Sequence, residues 1–490
     1  MVSLAPLPIP TADPAAVLFD QFRESIRTHI KTDTLREGII GKDLIINGPV
    51  GARPLLYADY AASGRALRQI ENFILEEVLP VYANPHTQAS HCGRSINALR
   101  RRARQEIASF CGADESDAVI FAGTGATAAL QKLAPLFGLN AVQSEKPLVL
   151  LGPYEHHSNL LPWRECGADV IELPEAETGG PDLDILENHL TSAGNRKVVC
   201  AFSAGSNVTG ALTNIAAVSR LVKKYGQRII WDFAGAAPYI AMSMRPAPDV
   251  HIDALAFSPH KFIGGPASSG ILVVRRDAVV LAKPSAPGGG TVSFVSPDKH
   301  DYLPDIEARE EAGTPNVIAD IRTALAMIVR DSLAEAGFDQ HAATMCQNAL
   351  SSWRANPHLE ILGHEMKIQL PIISFRVRDT DGNLLHHQLI TRILSDYFGI
   401  QARGGCACAG PYVHRLLNID GETSETLRQS IQAGNELDKP GFVRVNFSPL
   451  MTKAEAAYLI NAVNEIARNT PHYAPHFQGD PKTAIFHALA

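Results

Sequence analysis

The hydrophobic positions between Leu55 and about Val317 fall into short apolar runs that alternate with helical patterns. Candidate strands are Lys197–Phe202, Arg228–Trp231 and Ser269–Val274. Because these runs are apolar at consecutive positions, they are typical of strands that are buried on both faces. The alternation therefore predicts an α/β domain with a mainly parallel sheet. Ligands of such sheets bind beyond the carboxyl ends of the strands.

The flanking regions have other patterns. A proline-punctuated arm, Met1–Thr11, precedes a stretch with apolar positions at helical spacing, Ala15–Ile30. After the large domain, two helical stretches precede a predicted strand and a predicted helix: Val317–Ala336, Phe338–Ala355, Gln369–Phe375 and Leu384–Phe398. We expect three regions: an arm with a helix over residues 1–54, a large α/β domain over 55–317, and linking helices with a smaller α+β domain over 318–490.

Composition excludes several classes of protein. The 490 residues are 46% hydrophobic and 19% charged, which suffices for one large and one smaller core. The net charge of −7, without a long basic run, argues against nucleic-acid binding, and we interpret the basic cluster Arg100–Arg104 as a solvated helix face. No apolar stretch approaches the roughly 20 residues that span a bilayer. Seven cysteines, an odd number spread over the chain, do not form a disulfide framework. This indicates a reducing compartment, so we expect the protein in the cytoplasm.

Lys261 closes the apolar stretch that begins at Asp253, and Phe262-Ile-Gly-Gly-Pro266 follows it at once. A lysine that follows a buried strand can be desolvated, and a desolvated amine is a nucleophile that can form a Schiff base. A lysine in an exposed turn is the simpler alternative. Three further segments favour the nucleophile.

The first of these segments is Gln227–Asp232, which predicts a buried strand with a carboxylate at its end. An acid at this position can pair with the ring nitrogen of pyridoxal phosphate and keep that nitrogen protonated. A helix N-cap is the alternative role for Asp232.

The other two segments also follow apolar strands. In Val119–Thr127 the strand runs into small residues and then a helical pattern, so backbone N–H groups and the Thr127 hydroxyl can hold a phosphate. This turn matches neither the dinucleotide nor the P-loop motif.

The loop Pro153–Trp163 contains His156 and His157, and an imidazole can stack on a flat ring or move a proton. Exposed loop histidines are the alternative.

Together these segments resemble the class V aminotransferase group of pyridoxal phosphate enzymes, and within it the cysteine desulfurase and selenocysteine lyase branch. The similarity runs from Tyr57-Ala-Asp-Tyr-Ala-Ala-Ser63 to Val443-Arg-Val-Asn-Phe447, and Glu311-Ala-Gly-Thr-Pro-Asn316 resembles a turn of the family. It implies fold type I of the pyridoxal phosphate-dependent transferases, pyridoxal 5′-phosphate as cofactor, and a homodimer whose active sites use both subunits. It also implies a small amino-acid substrate and a protein that accepts sulfur.

The resemblance assigns a role to each matching residue. Lys261 matches the Schiff-base lysine, which also moves protons, and Asp232 matches the partner of the pyridine nitrogen. The remaining cofactor residues are His156, which stacks on the ring, Asn207 near its phenolic oxygen, Ala126, Thr127, Ser258 and His260 around the phosphate, and Thr291, which reaches the phosphate of the neighbouring subunit. The resemblance places Ala61 beside the substrate.

The segment Arg403-Gly-Gly-Cys-Ala-Cys-Ala-Gly-Pro411 resembles the family's Arg-x-Gly-x-x-Cys-Ala-x-Pro loop. Counting from Arg403, which we place at the substrate, Cys408 rather than Cys406 takes the persulfide-forming position. A thiolate there attacks the sulfur of the bound cysteine. Two cysteines so spaced can also pack in a turn or form a metal corner. Arg444 fits the arginine that binds the substrate α-carboxylate, and an exposed strand arginine is the alternative.

One residue departs from the family pattern. Asp232-Phe-Ala-Gly235 has glycine where the family has a glutamine that hydrogen-bonds the phenolic oxygen. The main hypothesis is a desulfurase that converts cysteine or selenocysteine to alanine through a persulfide on Cys408. Gly235 motivates the alternative of a carbon–sulfur β-lyase or an aminotransferase. A non-catalytic sulfur-carrier binding module is the third hypothesis.

Overall fold

A computed structural model describes residues 13–140, 145–363 and 370–489. The predicted arm Met1–Thr11 and Gln369, the first residue of a predicted strand, lie outside the described residues. The α-helices are α1 Pro14–Lys31, α2 Arg68–Phe73, α3 His91–Phe110, α4 Gly125–Leu136, α5 Leu161–Glu165, α6 Leu183–Ser192, α7 Ile215–Lys224, α8 Ile306–Glu310, α9 Val317–Glu335, α10 Phe338–Arg354, α11 His387–Phe398, α12 Gly410–Leu416, α13 Gly421–Gln432, α14 Lys453–Arg468 and α15 Thr470–Tyr473. None of these helices is long and apolar enough to cross a membrane.

The strands range from two to seven residues in length. They are β1 Ile45–Gly48, β2 Gly51–Pro54, β3 Leu56–Tyr57, β4 Asp117–Gly123, β5 Leu148–Leu151, β6 Asp169–Glu172, β7 Val198–Ser203, β8 Arg228–Asp232, β9 Ala254–Phe257, β10 Gly270–Arg275, β11 Val292–Val295, β12 His300–Tyr302, β13 Leu359–Ile361, β14 Ile372–Val377, β15 Ile400–Gln401, β16 Arg403–Gly405, β17 Phe442–Asn446, β18 Phe477–Gly479 and β19 Phe486–Ala488. The predicted strands around residues 200, 230 and 272 therefore form within one or two residues of their expected ends.

Seven of these strands form the central sheet, in the order β4-β10-β9-β8-β7-β5-β6. The pairs of β5 with β6 and β7, of β7 with β8, and of β8 with β9 are parallel, whereas β10 is antiparallel to both of its neighbours. The sheet is mainly parallel, as the consecutive apolar positions predict. Its parallel strands end at one edge, which is where the chemistry-bearing residues follow them in sequence.

The two faces of this sheet bury alternate residues of the same strands. On β8, Ile229 and Trp231 belong to one core and Ile230 to the other. The first core is completed by side chains of α1, α3 and α9, and the second by α4 together with Trp163 of α5. Burial on both faces explains why the strands are apolar at every position rather than at every second one.

A further core, separate from the two on the faces of the central sheet, forms around the four-stranded antiparallel sheet β13-β14-β17-β16. Side chains of α10, α11 and α14 pack on it, together with Leu56 and Ala58 from the start of the large body. The helix α9 instead packs in the first core, where Ile321, Leu325 and Ile328 are fully buried. We therefore propose that the smaller domain begins with α10 rather than with residue 318.

The basic cluster on α3 is not a solvated face, which corrects our interpretation of the sequence. Arg100 donates to Glu311 at 2.6 Å and to Asp320 at 2.7 Å, and Arg104 donates to both oxygens of Glu311 at 2.8 Å. Both guanidinium groups also lie about 5 Å from the ring of Phe121. These contacts join α3 to Glu311, just after α8, and to Asp320 within α9, so the cations stabilise the large domain.

Candidate active site

A cavity of about 250 Å³ lies at the carboxyl ends of the parallel strands. Segments that are far apart in sequence contribute to it, because β4, β5, β7, β8 and β9 all end at this edge. The predicted site residues that line the cavity are Ala61, Ala126, Thr127, His156, Asn207, Asp232, Ser258, His260, Lys261, Arg403, Cys408 and Arg444. The structure thus brings them together around one space, and Thr291 is the predicted site residue that does not line it.

Lys261 ends a single helical turn, Pro259–Lys261, directly after β9. Burial lowers the pKa of its amine to about 8, although the nearby Asp232 carboxylate acts in the opposite direction. A lysine amine in water has a pKa near about 10.4 and is almost entirely protonated at neutral pH. Burial therefore makes a neutral, nucleophilic amine accessible within the cavity.

Asp232 is the last residue of β8 and is 4% exposed. Its Oδ1 accepts a hydrogen bond from the N–H of Ala234 at 2.8 Å. Burial raises the pKa of this carboxyl. Its other oxygen accepts no hydrogen bond from the described residues, so it is available to a cationic or N–H group in the cavity.

A second buried acid lies next to Asp232, and our sequence analysis missed it. Glu155 accepts hydrogen bonds from the N–H and hydroxyl of Ser203, at 2.8 and 2.7 Å, and from the amide of Asn159. Burial raises the pKa of Glu155 to about 8, and the charge of Asp232 adds to this effect. The available signal was an acid beside His156 in a loop that follows a buried strand.

The amino end of α4 forms an anion cradle with the residues that follow β9. The N–H of Ala126 donates to Ser258 Oγ at 2.8 Å, and the hydroxyl of Thr127 lies 2.7 Å from that of Ser158. Gly125 has φ +63°, and a Cβ on it would lie 2.9 Å from both Ser258 Oγ and His260. Glycine therefore keeps open a space that is lined by hydroxyls and by the positive end of a helix dipole, which fits a phosphate.

His156 lines the same cavity as the anion cradle and Lys261. Its Nδ1 accepts a hydrogen bond from the N–H of Ser158 at 3.1 Å. Burial, followed by the charge of Lys261, lowers the pKa of His156 to about 4. The imidazole is therefore neutral near pH 7, with its proton on Nε2, and a neutral ring of this kind can stack on a flat cofactor.

Arg444 is 3% exposed, which rules out the alternative of an exposed strand arginine. It donates to Asp59 Oδ1 at 3.0 Å and to the carbonyl of Asn207 at 3.1 Å, while its buried Nε has no partner among the described residues. Arg403 donates to the other oxygen of Asp59 at 2.9 Å. Asp59, which the sequence analysis did not single out, thus joins two arginines that both line the cavity and fixes the position of the Arg444 guanidinium there.

The cysteine loop adopts a strained backbone. Ala407 and Cys408 have φ values of +51° and +54°, in the left-handed region that costs an L-residue about 1 kcal/mol or more. The side-chain amide of Asn207 donates to the carbonyl of Ala407 at 2.8 Å. Cys408 is exposed and lines the cavity, whereas Cys406 is half-buried and packs beside α12. Within the described residues, no group of three or more metal-ligating side chains includes them.

The comparisons with known proteins agree with this site. Residues 56–459 match the family model for aminotransferase class-V. The chain belongs to this family. It is 28% identical over 386 residues to a Vibrio cholerae protein named "Probable cysteine desulfurase", covering 78% of this chain and 90% of that protein. It is 26% identical over 375 residues to a Klebsiella pneumoniae cysteine desulfurase, covering 76% and 88%.

Solved structures show the same fold as this chain. A cysteine desulfurase from Thermococcus onnurineus superposes with a TM-score of 0.71 at 22% identity, over 89% of this chain and 98% of that one. One from Escherichia coli gives 0.66 at 23% identity, over 84% and 94%. The predicted fold type I is confirmed. The family implies a pyridoxal phosphate-dependent enzyme, and the anion cradle, the free oxygen of Asp232 and the buried amine fit that cofactor.

One residue, Gly235, distinguishes this chain from the expected pattern, and the role of another, Thr291, depends on a neighbouring subunit. Gly235 lines the cavity and has no side chain, so no side-chain donor is present at this position. A Cβ on it would lie 3.3 Å from the carbonyl of Gly205. Thr291 is fully buried and its hydroxyl donates to the carbonyl of Gly288 at 2.6 Å. Its expected contact lies in a neighbouring subunit, so this role remains a prediction.

Proposed function

We propose that this protein is a pyridoxal phosphate-dependent cysteine desulfurase that converts L-cysteine to L-alanine and leaves the sulfur as a persulfide on Cys408. One observation carries the proposal: Lys261, Asp232, Arg444 and the exposed Cys408 line a single cavity. The named relatives support it, since cysteine desulfurases cover most of the chain. Selenocysteine differs from cysteine by one atom, and we include it as a substrate.

In this proposal Lys261 would hold the cofactor through its aldehyde, and the anion cradle of Ala126, Thr127, Ser258 and His260 would hold its phosphate. Asp232 would keep the ring nitrogen protonated, and His156 would pack against the ring. When bound, pyridoxal phosphate supplies an electron sink for the substrate's α- and β-carbons. Asn207 has a second amide hydrogen beyond the one that it donates to Ala407, and that hydrogen would be available to the cofactor's phenolic oxygen.

The protein residues then perform the sulfur transfer. Arg444, with Arg403 nearby, binds the substrate α-carboxylate, and the amine of Lys261 moves protons at the α-carbon. The thiolate of Cys408 attacks the substrate sulfur: a sulfur–sulfur bond forms and the carbon–sulfur bond breaks. The β-carbon keeps the electron pair of the broken bond and takes a proton, which yields alanine and no net redox change. Ala61 lies beside the substrate in the same cavity.

We further propose a homodimer in which Thr291 reaches the neighbouring subunit's phosphate, and a sulfur-acceptor protein that takes the persulfide sulfur from Cys408. Cys408 is exposed, so an acceptor thiol can approach it. All seven cysteines are free thiols, which suits the cytoplasm. Neither nucleic acid nor membrane enters this proposal.

Gly235 favours a second candidate, a carbon–sulfur β-lyase or an aminotransferase on the same cofactor. Without the glutamine, the phenolic oxygen loses a donor and the electronic tuning of the ring changes. A non-catalytic sulfur-carrier binding module requires none of the cavity residues, and their assembly around one space argues against it.

Identification of the products separates these functions. The purified protein, saturated with pyridoxal phosphate, is incubated with L-cysteine, L-selenocysteine and L-aspartate, each with a 2-oxo acid as amino-group acceptor. Alanine identifies the desulfurase, and pyruvate with ammonia identifies the β-lyase. A keto acid from the substrate, formed together with the aminated acceptor, identifies the aminotransferase. Cys408→Ser should abolish alanine formation, and the matched variant Cys406→Ser should retain it. Borohydride reduction followed by mass spectrometry should place the cofactor on Lys261, and failure to label any lysine would support the non-catalytic module.

A further inference from the structure

His157 contacts the cysteine loop twice, although neither the cofactor nor the substrate needs it in the proposed function. Its backbone N–H donates to the carbonyl of Cys408 at 2.8 Å. Its side-chain Nε2 accepts a hydrogen bond from the N–H of Gly410 at 3.1 Å. The first bond is made at Cys408 itself and the second at Gly410, which is 253 positions from His157 in the chain.

The local geometry shows that this contact is specific. Gly410 is the first residue of α12, so its N–H has no acceptor within that helix. A Cβ on Gly410 would lie 3.0 Å from His157 Nε2, so a larger residue there would push the ring away from the backbone N–H. The carbonyl of Ala407 is held on the other side by Asn207 at 2.8 Å. The loop is therefore held at Ala407, Cys408 and Gly410, around the two residues with left-handed φ.

We propose that His157 is a positioning residue that holds the cysteine loop in its strained conformation, and that protonation of its imidazole releases the loop. This inference rests on the proposed function of Cys408 as the sulfur-accepting thiol. An imidazole nitrogen that accepts an N–H hydrogen bond must be unprotonated, so the proton of the neutral ring is on Nδ1. A proton on Nε2 removes the acceptor and leaves Gly410 N–H facing another N–H.

The surroundings of the ring favour its neutral form at neutral pH. Burial, followed by the charge of Arg164, holds the pKa of His157 below its usual value. The titratable and charged groups around it are His156 on its own loop, Arg164 and Glu165 on α5, Cys166 just after α5, and Cys408 and Arg415 on the cysteine loop and α12. The hydrogen bond from Gly410 N–H to His157 Nε2, which we call the clamp, is therefore formed near pH 7. It is lost as the pH falls through the pKa of His157.

Two substitutions separate the hydrogen bond from the bulk of the side chain. His157→Gln keeps an acceptor at a similar distance from the backbone and does not titrate, whereas His157→Leu keeps an apolar side chain of similar size and has no acceptor. Hydrogen–deuterium exchange of the peptide 406–413 at pH 7.5 measures the clamp directly. We expect about five- to tenfold faster exchange of Gly410 N–H in the leucine variant and a near wild-type rate in the glutamine variant.

Activity provides the second readout. With L-cysteine, His157→Leu should lower kcat for alanine formation about tenfold, with little change in KM or cofactor content, because the thiol is misplaced rather than removed. The ratio of wild-type to His157→Gln activity should fall as the pH drops from 7.5 to 5.5, since all other titrating groups are common to both proteins.

The outcomes are distinguishable. Wild-type exchange rates in His157→Leu would overturn the clamp, and so would an acid decline of equal size in wild type and His157→Gln. If the wild-type protein forms no alanine, the proposed function fails, and the exchange measurement still decides whether His157 holds the loop. If His157→Leu does not fold, the comparison of pH profiles between wild type and His157→Gln decides alone.

Discussion

Arg403 and Arg444 lie directly opposite each other on the antiparallel strands β16 and β17, and one carboxylate, that of Asp59, accepts a hydrogen bond from each. Like charges at opposed strand positions repel unless an anion lies between them. The two halves of this bridge differ in burial, because the Arg403 side chain is 53% exposed and that of Arg444 only 4%. Asp59 therefore stabilises Arg444 far more than Arg403.

Substitution of Asp59 by Asn tests this bridge. The change removes the anion without altering the size of the side chain, so Arg444 is left as a buried cation without a counter-charge. We expect the free energy of unfolding to fall by about 3 kcal/mol. The urea concentration at the unfolding midpoint of the protein, compared between wild type and variant, measures this loss.

Arg403→Gln is the matched control, because it breaks the exposed half of the same bridge. An exposed pair contributes at most about 1 kcal/mol, so this variant should unfold near the wild-type midpoint. Equal losses in the two variants would show that burial does not set the strength of the bridge.

The sequence predicted the residues that follow buried strands, and the reason is geometric. Asp232 ends β8 and Lys261 follows β9, and parallel neighbours must bring their carboxyl ends to the same edge. The apolar run before each residue was enough to place it. The helical pattern of the sequence likewise predicted α9 and α10, whose carboxyl ends differ from the predicted ones by one residue.

Contacts between distant segments could not be predicted in this way. Asp59 and Arg444 are 385 positions apart, and nothing in the residues around Asp59 indicates which cation it meets. The basic pattern of α3 suggested a solvated face because the acids that pair with it, Glu311 and Asp320, lie some two hundred residues later. Glu155 was missed because its partner Ser203 belongs to a neighbouring strand.

The depressed pKa of Lys261 predicts how fast the apoprotein takes up its cofactor as the pH changes. With a pKa of about 8, half of the amine is neutral at pH 8, whereas an ordinary lysine is less than about 1% neutral there. The rate of borohydride-trappable attachment of pyridoxal phosphate to Lys261 should rise from pH 7 and level off near pH 9. Lysine in a short peptide serves as the control, and a protein rate that still climbs beyond pH 10 would contradict the prediction.

The raised pKa of Glu155 predicts a pH-dependent stability. Between about pH 5 and pH 8 the folded protein keeps a proton on Glu155 that the unfolded chain has released, so this residue makes stability fall as the pH rises. The effect is at most about 1.4 kcal/mol per pH unit. Glu155→Gln should remove this slope when urea midpoints at pH 5.5 and 7.5 are compared, and the exposed Glu177→Gln should retain it. A slope that is unchanged in Glu155→Gln would assign the effect to other groups.

Gly123 and Gly125 offer a matched pair for the anion cradle. Both have left-handed backbones, with φ values of +86° and +63°, so alanine at either position costs about 1 kcal/mol of strain. A Cβ at Gly123 meets nothing within 4 Å, whereas one at Gly125 lies 2.9 Å from Ser258 Oγ and His260. Titration of the apoproteins with pyridoxal phosphate, followed by tryptophan fluorescence, should show at least about tenfold weaker binding for Gly125→Ala. Gly123→Ala should bind the cofactor as tightly as the wild type does, because its Cβ adds backbone strain but does not enter the anion cradle. Equal losses of affinity in both variants would place the phosphate elsewhere.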